Sequence, residues 1–141
     1  MDISPHASSP PLRVALAQMS PEASQVLVAR LSRYAGRVEV LHDPHGGSDL
    51  VLVDPYADTP RFDPRRFAAS VTGLHQLVVY TEGDPIDPLA FAMTGAALAG
   101  RLRGWLWTGL SDEELVAGLE QIHAGHVLVR GRDDEALAAP A

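Results

Sequence analysis

The stretch DLVLVDPYADTP, residues 49–60, decides how the rest of the chain is read. Leu50, Val51, Leu52 and Val53 form an unbroken apolar run of strand length, and a run without polar alternation fits a strand covered on both faces, as in a parallel sheet. It stops at Asp54 and Pro55, which leave one carboxylate at the strand's carboxyl end and interrupt further ladder bonding. Two roles are open to Asp54: a reactive carboxylate in a crevice, or the residue that closes a turn.

Outward from this stretch, four more apolar runs have strand length: LRVALA (12–17), RVEVL (37–41), QLVVYT (76–81) and GWLWTG (104–109). Helix signals lie between them. In SPEASQVLVARLSRYAG (20–36), Ser20 is placed as N-cap, Pro21 at the first helical position, Glu22 at the positive end and Gly36 at the close. Ala23, Val26, Leu27, Leu31 and Tyr34 recur there at helical spacing. Residues 62–74 read as a helix opened by Asp63 and Pro64, and the alanine-rich 89–99 as a helix packed closely on a strand. SDEELVAGLEQIHAG (111–125) carries a capping box, Ser111 with Glu114, and an inner stripe of Leu115, Leu119 and Ile122. By contrast, HDPHGGS (42–48) is too short for a crossover helix, so the second helix is expected to be missing or reduced to a turn. Buried strands alternating with helices predict an α/β fold: a doubly wound parallel sheet with helices on both faces.

A chain of 141 residues allows one domain, expected over 12–130, with 1–11 as a disordered leader and 131–141 as a linker or tail. The formal charge of −7 repels phosphate backbones, so no nucleic acid is expected to bind this domain. Without cysteine there is no disulfide, thiolate metal site or thiol catalysis. No apolar run approaches the roughly 20 residues a bilayer requires, and the N-terminus lacks a basic stretch followed by an apolar one. A cytoplasmic, membrane-free protein is the expectation. Neither a GxGxxG nor a Walker-type phosphate loop occurs.

In a doubly wound sheet the functional crevice lies beyond the carboxyl ends of the strands. The residues there are Gln18 and Met19, His42 and Asp43, Asp54 and Pro55, Thr81 and Glu82, and Thr108. The motifs RVALAQMSP, DLVLVDP, LVVYT and GWLWTGLSDEELVAGLEQIHAGHVLV, in this order and spacing, resemble the receiver domain of bacterial response regulators, especially those joined to a LuxR-like C-terminal helix-turn-helix domain. The resemblance implies a flavodoxin-like sheet of five strands in the order 2-1-3-4-5. It puts Asp54 at the phosphoacceptor position, Thr81 at the hydroxyl that contacts the phosphoryl group and Trp105 at the switching aromatic. It also implies two adjacent acids that hold Mg²⁺ at the end of the first strand and a lysine on the fifth. Gln18 and Met19 stand in place of the acids, and Thr108 in place of the lysine.

Mg²⁺ takes oxygen ligands in tight octahedral geometry, usually through carboxylates, and a neutral amide with a thioether is a poor substitute. The pocket is therefore expected to be degenerate, with Asp54 not efficiently phosphorylated, no catalytic residue, no metal ligand set and no cofactor. The chain then reads as a signalling and interaction module and not as an enzyme. The resemblance further implies a homodimer through the fourth helix, fifth strand and fifth helix, here residues 89–124, with another protein as a further partner, within a transcriptional regulator. Two other readings stay open: a phosphorylatable receiver whose unusual cation site adds Asp43 to Asp54, and a small-molecule sensor with Gln18, Met19 and Thr108 as neutral lining. A flavodoxin-like enzyme is disfavoured, since neither a phosphate-cradling loop nor an acid/base pair is visible.

Several residues have structural readings beside functional ones. Trp105 and Trp107, two apart, are expected to share a face of the fifth strand, which would lie at the sheet edge with one indole available to a partner. The HxxH pairs His42/His45 and His123/His126 lack a third ligand and read as surface histidines. Arg61, Arg65 and Arg66 read as a solvated helix start, with docking of an acidic partner as the alternative.

Overall fold

The structure, a computed structural model, describes residues 10–41, 47–56, 63–82 and 100–130. The first strand, β1 (Leu12–Ala17), leads into α1 (Pro21–Ser32), where the Ser20 side chain accepts the Ala23 amide. There follow β2 (Val38–Leu41), β3 (Leu50–Val53), α2 (Pro64–Ser70), β4 (Leu77–Thr81), β5 (Leu102–Trp107), α3 (Asp112–His123) and β6 (Leu128–Arg130). Helix α1 stops before Gly36 because the chain turns at Tyr34, whose amide donates to the Leu31 carbonyl at 2.9 Å. Helix α2 is shorter than expected: Asp63 caps it, accepting the Arg65 and Arg66 amides, and the chain turns away after Ser70. The capping box of α3 forms as read. The expected helix over 89–99, the leader residues 1–9 and the tail 131–141 lie outside the described residues.

All pairings are parallel, and the sheet order is β2-β1-β3-β4-β5-β6. Strand side chains alternate between two cores. Val14, Leu52, Val78 and Leu106 face one core, with Leu27 and Leu31 of α1 and Leu115 and Leu119 of α3. Ala15, Val51, Val79 and Trp105 face the other, with Phe67 of α2. Every residue of β3 and β4 is buried, as a parallel sheet covered on both faces demands. A register shift opposite Leu77/Val78 lets Leu102 share the Trp105 face although the two are three apart.

Among the described residues the sheet has six strands and not five. After four intervening residues, 124–127, the segment Leu128–Arg130 lies along β5, with Gly104 opposite Leu128 and Trp105 opposite Val129. Gly125, at φ +114, reverses the chain there. The fifth strand is therefore interior, and the edge expected for it belongs to β6. Register also accounts for the short link between β2 and β3. Val40 and Leu50 both pair with Val14, so the ends lie level and the link has only two strand spacings, about 10 Å, to cover sideways. Whether a helical turn occurs there falls on residues 42–46, outside the described residues.

Candidate functional site

Parallel register brings the strand ends into one rim. Ala17 pairs with Val53, so Gln18 and Asp54 are neighbours, and the Asp54 amide donates to the Gln18 carbonyl at 3.2 Å. Thr81 pairs with Trp107, and the Thr108 amide donates to the Thr81 carbonyl at 3.1 Å. Gln18, Asp54, Thr81 and Thr108 are thus joined in two backbone-linked pairs at the carboxyl end of the sheet.

Asp54 is half-buried, and its Oδ1 accepts the Tyr56 amide at 2.9 Å. That closes an Asx turn over Pro55, the turn chemistry of an aspartate before proline. Gln18 holds a left-handed backbone, φ +51, which costs a non-glycine residue about 1 kcal/mol. Its side-chain amide donates to the Ser70 carbonyl at the end of α2, 3.2 Å away, so this residue bridges β1, the Asp54 turn and α2. Met19 is half-buried and packs on the α1/α3 core. Thr81 is buried, 2 % exposed, and is the one polar residue of the described core. Thr108 is half-buried.

The two tryptophans part company. Trp105 is buried in the α2-side core beside Val129 of β6, whereas Trp107 packs against the opposite core. The expectation that they share a face fails because Trp107 is the last strand residue: the chain turns at once, the Leu110 amide donating to the Trp107 carbonyl at 3.2 Å. Its ring lies over Gly109, where a Cβ would overlap it.

One residue at this rim gave no signal in the sequence. Arg30 of α1 donates from Nε to Asp112 Oδ1 at 2.5 Å, from Nη1 to the Tyr80 hydroxyl at 2.6 Å and the Thr108 carbonyl at 2.9 Å, and from Nη2 to the Leu110 carbonyl. Burial works to lower its pKa, but the bonds to Asp112 and Tyr80 outweigh that and leave it raised. Burial raises the Tyr80 phenol above its ordinary value, and the Arg30 charge only partly offsets this. Alternation on β4 turns Tyr80 to the α1/α3 core, where Arg30 meets it.

The resemblance implies Mg²⁺, and the described rim does not fit it. Of the described rim residues only Asp54 and the exposed Glu82 carry a carboxylate, and one Asp54 oxygen already accepts the Tyr56 amide. Gln18 is neutral and tied to Ser70, and the Met19 thioether is no ligand for a hard cation. Among the described residues no three of His, Asp and Glu gather as metal ligands. His42, Asp43, His45 and Arg61 lie outside the described residues. His123 and His126 are exposed, His123 standing 4.0 Å from Asp49, and Arg65 and Arg66 are exposed at the start of α2. An open cavity of about 520 Å³ runs along one flank of α1, lined by Leu16, Ser24, Gln25, Val28, Ala29 and Ser32. Gln18, Met19 and Thr108 have no part in it. Among the described residues no helix is long and apolar enough to cross a membrane.

No protein-family model matches the chain, and no curated protein is similar to it. Solved structures are. The response regulator ChrA of a heme-sensing two-component system is 18 % identical over 92 % of this chain, at a TM-score of 0.60. The chain spans 65 % of ChrA's length. A sensor protein from Polaromonas is 13 % identical over 82 % of this chain and 98 % of its own, at 0.52. The chemotaxis protein CheY4 of Vibrio cholerae is 16 % identical over 79 % of this chain and 98 % of its own, at 0.51. At such identities the likeness is one of fold, and with its six parallel strands and helices on both faces the chain has the receiver fold of response regulators.

Proposed function

We propose that the chain is a signal-transduction module of the receiver fold that acts by binding protein, first a second copy of itself, and that Asp54 is not efficiently phosphorylated. The observation that carries this is the state of the Asp54 carboxylate, bonded into its own turn beside the neutral Gln18, with Met19 turned into the core. Forming an acyl phosphate brings an anionic oxygen onto an anionic phosphoryl group. Electrostatic stabilisation of that encounter by a metal or a fixed cation is worth several kcal/mol. Gln18 and Met19 offer no charge for a metal, and Thr108 offers none to the product. Asp54 then serves as the closing residue of the turn and not as a nucleophile, and the module is not an enzyme.

Self-association is assigned to residues 89–124, of which 100–124 include β5 and α3 and 89–99 lie outside the described residues. Because β6 lies along β5, contact there runs over β6 and α3 and not along a free β5 edge. A place within a transcriptional regulator accords with the likeness to ChrA, whose chain is longer than the part matched.

Titration of Mg²⁺ together with beryllofluoride, followed by tryptophan emission and by molar mass in solution, tests this. Trp107 stands one residue from Thr108 and reports on the rim. The expected result is no saturable change up to millimolar metal and a dimer mass that does not depend on beryllofluoride. Saturable binding, or ready labelling of Asp54 by acetyl phosphate, would restore the phosphorylatable reading.

A further inference from the structure

A receiver rim that lacks a lysine still has a cation beside it, delivered from another element. The Arg30 guanidinium reaches from α1 to four acceptors: the Tyr80 hydroxyl on β4, the Thr108 and Leu110 carbonyls in the β5–α3 turn, and the Asp112 carboxylate at the start of α3. Its side chain is only 17 % exposed. Asp112 is shared with Arg33, 3.6 Å away and 77 % exposed, which has none of the other three acceptors. The contact continues into the rim, since the Thr108 amide donates to the Thr81 carbonyl.

We propose that Arg30 is the positioning residue of the β5–α3 turn, a permanent clasp that fixes Thr108, and through its amide Thr81, in one arrangement without any cation in the Asp54 pocket. Three physical features favour this. The acceptors lie in different directions around one planar fork, a geometry that guanidinium meets and ammonium does not. The Thr108 and Leu110 carbonyls lie beyond the β4–β5 ladder, which ends at Trp107, and charge-assisted bonds are the strong ones available to them. The donors come from α1 and the acceptors from β4 and the β5–α3 segment, so the turn cannot shift without breaking contacts to two other elements. The clasp goes beyond the reading of Asp54 and does not depend on it.

Site-resolved hydrogen exchange on the full chain tests the assignment. In Arg30→Gln, exchange at the Thr108 and Leu110 amides is expected to rise by about tenfold or more, with the amides of β1 and β3 unchanged. Trp107 emission is expected to shift to the red, because its ring lies over Gly109 in the same turn. Arg30→Lys is expected to resemble Arg30→Gln. If Arg30→Gln does not fold, Asp112→Asn gives the same comparison with a smaller effect confined to the turn, since it leaves Arg30 on Tyr80 and the two carbonyls. An unchanged turn, full recovery with lysine, or loss of protection spread evenly over β1, β3 and β4 would each overturn the clasp. None of these readouts involves beryllofluoride, so failure here is distinct from failure of the Asp54 reading.

Discussion

Asp54 accepts one backbone amide, and that contact makes a simple prediction about its replacement. Asparagine keeps an acceptor oxygen at the same place, so Asp54→Asn should leave denaturant stability nearly unchanged. Asp54→Ala removes the acceptor and should cost about 1 kcal/mol. Urea unfolding of the two variants checks that the carboxylate's role in the turn is that of an acceptor. The neutrality of Gln18 was legible in the sequence. Its left-handed backbone and its bond to the Ser70 carbonyl were not, because the partner is 52 residues away and φ > 0 has no signature in a glutamine.

Between elements, the sixth strand is the feature that changes the molecule's outline. It depends on Gly104, where a Cβ would stand 2.5 Å from Ile122 Cδ1 and 3.0 Å from the Leu128 carbonyl oxygen. Ile122 is buried, so its terminal methyl can give way only by repacking the core, and the second obstacle is backbone. Gly104→Ala is therefore expected to push α3 and β6 away from β5, at about 1–3 kcal/mol. Thermal unfolding would register it, with faster exchange at the Val129 and Arg130 amides than elsewhere. The sequence displayed VLV as apolar, yet three residues carry too little periodicity to be told from a tail. The capping box of α3, by contrast, is a local pattern of four residues and formed as read.

Over the whole molecule, helices α1 and α3 are tied on one face by ion pairs that respond to acid. Just past α1, Arg37 donates to Glu120 at 2.6 and 3.1 Å and to Glu113 at 3.0 Å, with its guanidinium over the Tyr34 ring at 5.7 Å. Bonds from Arg37 hold the Glu120 carboxyl below its ordinary 4.5, and Ser111, by its amide and then its side chain, does the same for Glu114. A folded pKa below the unfolded one gives stability that is present above the ordinary value and lost as pH falls through the folded value. Tm is therefore expected to hold above the ordinary glutamate value of 4.5 and to fall progressively below it, with a shallower acid limb in Glu120→Gln. The Arg37 ion pairs with Glu113 and Glu120 are solvent-facing, so added salt should weaken their share of the effect. The sequence by itself determined the alternation of strands and helices and the residue types at the rim, since apolar periodicity, caps and turn residues act over a few neighbouring positions. Only the tertiary structure decided that the fifth strand is interior, that Trp105 and Trp107 enter opposite cores and that Arg30 reaches Thr108. Each of these depends on where the chain returns after a turn, and Arg30 and Thr108, 78 positions apart, share no local pattern that could announce their contact.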